Sequence, residues 1–119
     1  MLSVICPIYN EEKYITKCID SILDQDYPKD DLEVLFVDGR STDNTRQIIS
    51  QYIAKYPFIH LLDNPYKTVP YAMNLGIQHS HGNVIIRLDA HAIYPSYYFS
   101  KLLYGLKKYD ADNVGGICK

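Results

Sequence analysis

Apolar residues follow two alternating patterns along the chain. Short runs at 2–8, 32–37, 58–62, 84–88 and 114–118 are apolar at nearly every position. Runs of that length without a polar face predict strands covered on both sides, as in a parallel sheet. Between them the period changes to that of a helix. Ile15, Cys18, Ile19, Ile22 and Leu23 fall at i, i+3, i+4, i+7 and i+8, which lines one side of a helix. Val69, Ala72, Met73, Gly76 and Ile77 repeat that spacing. Ile48, Ile49, Tyr52, Ile53 and Tyr56 form a third stripe, and Phe99, Leu102, Leu103 and Leu106 a fourth.

Polar punctuation agrees with these boundaries. Asn10 is expected to cap the first helix, with Glu11 and Glu12 in its positive first turn. Ser41 or Thr42 is expected to cap the second, with Asp43 inside its first turn. Thr68 and Pro70 mark the start of the third, and Pro95 opens the fourth. Pro28, Pro57 and His81-Gly82 fall where the first three helices should turn back. The order β-α-β-α-β-α-β-α-β predicts an α/β fold: a Rossmann-like, mostly parallel sheet with helices on both faces.

Length and charge narrow the picture. The chain has 119 residues, enough for one domain (1–119) and too few for two. Its net charge of −2 comes from interspersed acids and bases, so no basic stripe is offered to nucleic acid. The three cysteines contain no CxxC pair, and Cys6 and Cys118 sit in apolar runs, as free thiols in a reducing compartment do. No apolar run approaches the ~18 residues of a membrane span, and Met1 leads straight into a strand pattern. A cytoplasmic protein is expected.

In an open α/β sheet, ligands bind beyond the carboxyl ends of the strands. The residues there are Tyr9-Asn10-Glu11, then Asp38 through Asp43, then Asp63-Asn64, then Asp89-Ala90-His91. Asp38, Asp63 and Asp89 are expected along one rim. Neither GxGxxG nor GxxxxGK[ST] occurs, so a phosphorylated ligand would need another source of positive charge. A divalent cation held by carboxylates supplies it. In an extended segment residues i and i+2 point the same way, so Asp89 and His91 can address one ion. Oxygen plus imidazole ligation suits Mn²⁺ better than Ca²⁺. The alternative is that Asp89 caps the next helix and His91 is an ordinary surface residue. His79 and His81 have the same alternatives, with a helix-end loop preferred. Arg40 and Lys67 could meet a phosphate or simply be solvated, and His60 reads as a core or rim histidine.

Four segments together resemble something known. Val4-Ile5-Cys6-Pro7-Ile8-Tyr9-Asn10-Glu11, Val37 through Thr45, Ala72-Met73-Asn74-Leu75-Gly76-Ile77 and Arg87-Leu88-Asp89-Ala90-His91 resemble, in order, signatures of the family 2 glycosyltransferases. The Asp-Ala-His form resembles that of the exopolysaccharide-building subgroup. The resemblance covers the N-terminal half of that family's GT-A fold. It implies a nucleotide-binding set of Pro7, Tyr9, Glu11, Asp38 and Asp89, with Pro7 and Tyr9 at the base, Asp38 accepting a hydrogen bond from it, and Asp89 facing the diphosphate. It implies a metal pair of Asp89 and His91 holding Mn²⁺ or Mg²⁺. The family's usual Asp-Asp-Gly-Ser reads here as Asp38-Gly39-Arg40-Ser41, without the second carboxylate.

The implied reaction is inverting transfer of a sugar from a nucleoside-diphosphate sugar, UDP-sugar foremost, to a saccharide or lipid-linked acceptor. The family's catalytic base and acceptor site follow the strand at 114–118, so the chain is expected to be a C-terminally truncated donor half with no base of its own. Peripheral attachment at the inner face of the membrane would then rest with the missing part. Two rivals are a nucleotidyltransferase, which would usually carry a glycine-rich basic segment after the first strand, and a non-catalytic nucleotide-binding domain.

Overall fold

A computed structural model describes residues 1–109. The elements are β1 (Leu2–Ile8), α1 (Ile15–Leu23), a single 3-10 turn (Lys29–Asp31), β2 (Leu32–Asp38), α2 (Thr45–Lys55), β3 (Ile59–Asp63), α3 (Val69–His79), β4 (Val84–Arg87) and α4 (Tyr98–Tyr109). The run at 114–118, read as a fifth strand, lies outside the described residues. The four strands form one parallel sheet in the order β3-β2-β1-β4.

The central strands carry the continuous apolar runs. All seven residues of β2 are buried, whereas the outer strands β3 and β4 are buried only in part. Side chains alternate between two cores. Leu2, Val4, Cys6 and Ile8 of β1 pack with Ile15, Cys18, Ile19 and Ile22 of α1, Ile49 of α2 and Phe99 of α4. Ile5, Leu35 and Val37 face the other way, against Ala72 and Met73 of α3. Helices therefore cover both faces. Gly76 lets α3 approach β1: a Cβ there would lie 2.6 Å from Ile5 Cγ2. Val69, read as part of the α3 stripe, is exposed instead. Among the described residues no helix is long and apolar enough to cross a membrane.

The third helix starts where Thr68 and Pro70 mark it, with Thr68 at the N-cap, whereas the other helix starts depart from the sequence expectation. Asn10 caps no helix; it is left-handed (φ 52°) and its side chain bonds Thr42. The carbonyl of Glu11 accepts the N–H of Tyr14 and Ile15, so a turn precedes α1 and no acid occupies its first turn. Ser41 and Thr42 do not cap α2. Asn44 stands at the N-cap without a side-chain bond, and Asp43 lies before the helix, not in its first turn, accepting both N–H and hydroxyl of Thr45. α4 begins at Tyr98, and Gln25, just beyond α1, supplies the acceptor for the Phe99 N–H. Residues that looked like caps connect loops to one another, because the rim brings those loops within reach.

Candidate functional site

Direction of exit creates the crevice. The chain leaves β1, β2 and β4 towards the α1, α2 and α4 side, and leaves β3 towards the α3 side. Loops diverging from neighbouring strands open a crevice at their carboxyl ends. Here that crevice is a cleft of about 220 Å³ lined by Pro7, Tyr9, Glu11, Gly39, Lys67 and His91, among others. A larger hollow of about 420 Å³ lies beneath β3, with Glu33, His60, His79 and His81 among apolar side chains. It is away from the rim. Among the described residues, Glu11, Asp89 and His91 are the only three His, Cys, Asp or Glu side chains whose ligating atoms converge, all within 4.8 Å of one another.

Each of the three is held in place. The Glu11 N–H donates to Thr45 Oγ1 at 2.8 Å, and the Glu12 N–H to Asp43 Oδ2 at 3.3 Å, so the start of α2 anchors the loop after β1. Glu11 itself is buried. On the other side, the β1–β4 ladder runs from Leu2–Val84 to Ile5–Arg87, with Leu88 N–H donating to Ile5 O. Two residues on, Pro7 faces the same way and has no N–H to offer. Pairing stops and the chain is free to leave the sheet at Asp89. His91 then folds back: its N–H donates to Asp89 Oδ1 at 2.9 Å. Its Nδ1 lies 3.0 Å from Glu11 Oε2 and 3.2 Å from Asp89 Oδ1. The Tyr14 ring lies 4.6 Å from the imidazole.

These environments push the two carboxyls apart. Burial raises the Glu11 carboxyl above its ordinary value; the nearby His91 opposes the shift, while Asp89 and Asp43 add to it. The backbone N–H of His91, followed in importance by desolvation acting the other way, sets Asp89, which ends below its ordinary value. Two carboxylate oxygens and an imidazole nitrogen suit a borderline divalent ion such as Mn²⁺, while Mg²⁺ would rely more on oxygens and retained water.

The second loop is ordered from within. Asp38 is fully buried, accepts hydrogen bonds from both the N–H and the hydroxyl of Ser41, and lies 3.4 Å from Arg46 Nε. Ser41 in turn accepts the Asn10 N–H at 2.8 Å. Asp63 pairs with Arg40, whose Nη2 is 3.3 Å away. Of the three rim aspartates, only Asp89 joins the converging cluster. Asn10, Arg40 and Lys67 all have positive φ, between 52° and 63°, and each lies on a loop beyond a strand end. Left-handed conformations at non-glycine residues cost on the order of 1–3 kcal/mol and collect at binding sites. The Lys67 ammonium lies 5.7 Å from the centroid of the Tyr9 ring.

The site residues read from sequence thus divide. Pro7, Tyr9 and Glu11 line the cleft, Asp89 and His91 converge with Glu11, and Asp38 lies beneath the loop that forms one wall. What the sequence did not reveal is the joining of Glu11 to Asp89 and His91, which lie three strands further along the chain. Also unread were Tyr14 against His91 and Tyr94 against Asp89, because neither contact follows a helical or strand period.

The sequence profile of glycosyl transferase family 2 matches residues 3–119. A Methanococcus voltae dolichyl N-acetyl-alpha-D-glucosaminyl phosphate 3-beta-D-2,3-diacetamido-2,3-dideoxy-beta-D-glucuronosyltransferase is 43% identical over 102 residues, which are 84% of this chain and 32% of the relative. Among solved structures, Staphylococcus aureus TarS 1-349 in complex with UDP-GlcNAc superposes with a TM-score of 0.81 at 29% identity, covering 93% of this chain and 32% of that one. The mannosyltransferase PcManGT of Pyrobaculum calidifontis, in complex with GDP-Man and Mn2+, has a TM-score of 0.79 at 32% identity, covering 93% and 32%. The chain spans about a third or less of the length of the curated relatives it matches.

Proposed function

The chain belongs to glycosyl transferase family 2, and from that premise we propose that residues 1–119 bind the nucleoside-diphosphate sugar donor of an inverting, metal-assisted sugar transfer. One observation carries the reading: the cleft and the converging cluster share Glu11 and His91, so a ligand filling the cleft ends against Asp89 and its neighbours. Those are the needs of a donor with a flat base at one end and a diphosphate at the other.

In this reading Pro7 and the half-exposed Tyr9 ring flank the base, offering apolar and π surface. Asp38 belongs to the same nucleotide set, beneath the loop that it orders, whose Gly39 lines the cleft. Asp89 and His91, with Glu11 at their side, hold the divalent ion, Mn²⁺ or Mg²⁺. The bound ion would polarise the leaving diphosphate and stabilise its developing charge. UDP-sugar is the proposed donor, and a saccharide or lipid-linked group the acceptor. The general base is assigned to no residue. A cytoplasmic site of action, extending to the inner face of the membrane, is part of the same proposal and is supported by the free thiols of Cys6 and Cys18.

Calorimetry tests the reading. UDP, GDP and their sugars are titrated into the chain with and without Mn²⁺, beside Asp89→Asn. The substitution is nearly isosteric but removes the charge that faces the ion. Expected is Mn²⁺-dependent binding in the wild type and its loss in Asp89→Asn, whose thermal unfolding stays cooperative. Equal nucleotide affinity with and without metal, in both proteins, would refute the metal role.

A further inference from the structure

Asp89 sits at the last point where the sheet can guide the chain. β4 ends at Arg87, and β4 is the outermost described strand on its side of the sheet. The backbone of Asp89 turns away from β1, so no described strand receives its N–H. A side chain does. The hydroxyl oxygen of Tyr94 accepts the Asp89 N–H at 2.8 Å and lies 3.3 Å from the Asp89 carbonyl oxygen, to which it donates. A phenol hydroxyl can accept and donate at once, and here both bonds close on a single residue.

We propose that Tyr94 is a positioning residue for Asp89: by holding both backbone groups of that residue, its hydroxyl sets where the carboxylate meets a divalent cation. The proposal rests on the reading of Asp89 as a metal ligand. The Asp89 carbonyl has further partners in the Ala92 N–H at 3.2 Å and the Cys18 thiol at 3.8 Å, but its N–H has Tyr94 alone among the described contacts. The Tyr94 ring is itself fixed, its centroid 4.7 Å from that of Tyr98. The clamp thus connects the packed start of α4 to the irregular segment that carries Asp89 and His91. Without the hydroxyl, the Asp89 peptide can rotate about the end of β4, and the carboxylate loses its register with Glu11 and His91. Partners that orient a ligand in this way typically contribute 10–100-fold to metal affinity.

The test uses MnCl₂ alone, so it needs neither donor nor acceptor. Free Mn²⁺ is measured by electron paramagnetic resonance during titration of the wild-type chain, Tyr94→Phe and Tyr98→Phe. Phenylalanine keeps the ring and removes only the hydroxyl. Tyr98 is the control, since it packs on the same helix start and its hydroxyl has no hydrogen-bond partner among the described contacts. Expected is an Mn²⁺ Kd about tenfold weaker in Tyr94→Phe and unchanged in Tyr98→Phe, with cooperative thermal unfolding in all three proteins. An unchanged Kd in Tyr94→Phe overturns the proposal. So does equal weakening in Tyr98→Phe, or loss of cooperative unfolding in Tyr94→Phe, either of which would make the hydroxyl a packing element. Failure of the wild type to bind Mn²⁺ would instead strike the metal reading itself, and is seen before any variant is compared.

Discussion

At the scale of single residues, the rim shows how one carboxylate differs from another by its surroundings. Asp38, Asp63 and Asp89 all stand at strand ends, yet Asp38 is buried under Ser41 and Arg46, Asp63 is paired with Arg40, and Asp89 faces Glu11 and His91. Their substitution should therefore have different consequences. Asp38→Ala leaves the Ser41 N–H without its acceptor and removes a charge-assisted bond, a loss of about 1.5–3 kcal/mol. A lower urea midpoint is expected, together with weaker nucleotide binding as the loop that carries Gly39 into the cleft loosens. Mn²⁺ affinity should not change, because Asp38 does not touch the cluster. If Asp38→Ala lost Mn²⁺ and kept its nucleotide affinity, the division of labour between Asp38 and Asp89 would be reversed.

At the scale of elements, the fit of α3 against the sheet depends on a missing side chain. Gly76 brings the helix onto Ile5, where an added Cβ would lie 2.6 Å from Cγ2 and 2.9 Å from Cδ1 and Cγ1. Glycine costs a helix roughly 1 kcal/mol against alanine, so Gly76→Ala would stabilise an isolated helix. Overpacking a close-fitted interface typically costs about 1–3 kcal/mol, and that effect should win. Gly76→Ala is expected to lower stability by about 1 kcal/mol in urea unfolding. Ile5→Ala combined with it should be less destabilising than the sum of the two single changes, because the cavity admits the methyl group. Strict additivity would show that α3 shifts away without straining Ile5.

At the scale of the whole molecule, the end of the sheet opposite the cleft is joined by one buried acid. Glu33 at the start of β2 accepts the Ser3 hydroxyl of β1 at 2.7 Å, the backbone N–H of His81, and lies 3.0 Å from His81 Nδ1. Gly82 N–H completes the knot by donating to Ser3 Oγ at 2.8 Å. Burial alone would raise the Glu33 carboxyl; the hydrogen bonds from His81 and Ser3 outweigh it and leave the group below its ordinary value. A folded-state value below the unfolded one means the native state binds the proton more weakly and is favoured when the carboxyl is charged. That stability is fully present above the unfolded pKa, near 4.5, and is lost as pH falls through the lower folded value. Glu33→Gln should therefore reduce stability at neutral pH and flatten its decline below about pH 4.5, followed by thermal unfolding from pH 7 to pH 3. A parallel decline in both proteins would remove Glu33 from the acid response.

Local pattern alone determined much of this protein. The continuous apolar runs of β1 and β2 and the stripe on α1 identify elements because burial on two faces or on one leaves a period in the chain. The order of those elements then implies a parallel sheet, and a parallel sheet implies that the chemistry lies at its carboxyl rim. The segments carrying Pro7, Tyr9, Glu11, Asp89 and His91 were therefore legible as candidates. Tertiary structure decided how they are used. Asn10, Ser41 and Thr42 looked like helix caps because cap chemistry is local, yet they bond across loops that folding brings together. Glu11 meets Asp89 and His91 because β1 and β4 are neighbours in the sheet, although β2 and β3 come between them in the chain. Periodicity records which face of an element is buried. It carries no record of which loops share a rim, since that depends on strand order, crossover direction and the point where Pro7 ends the ladder.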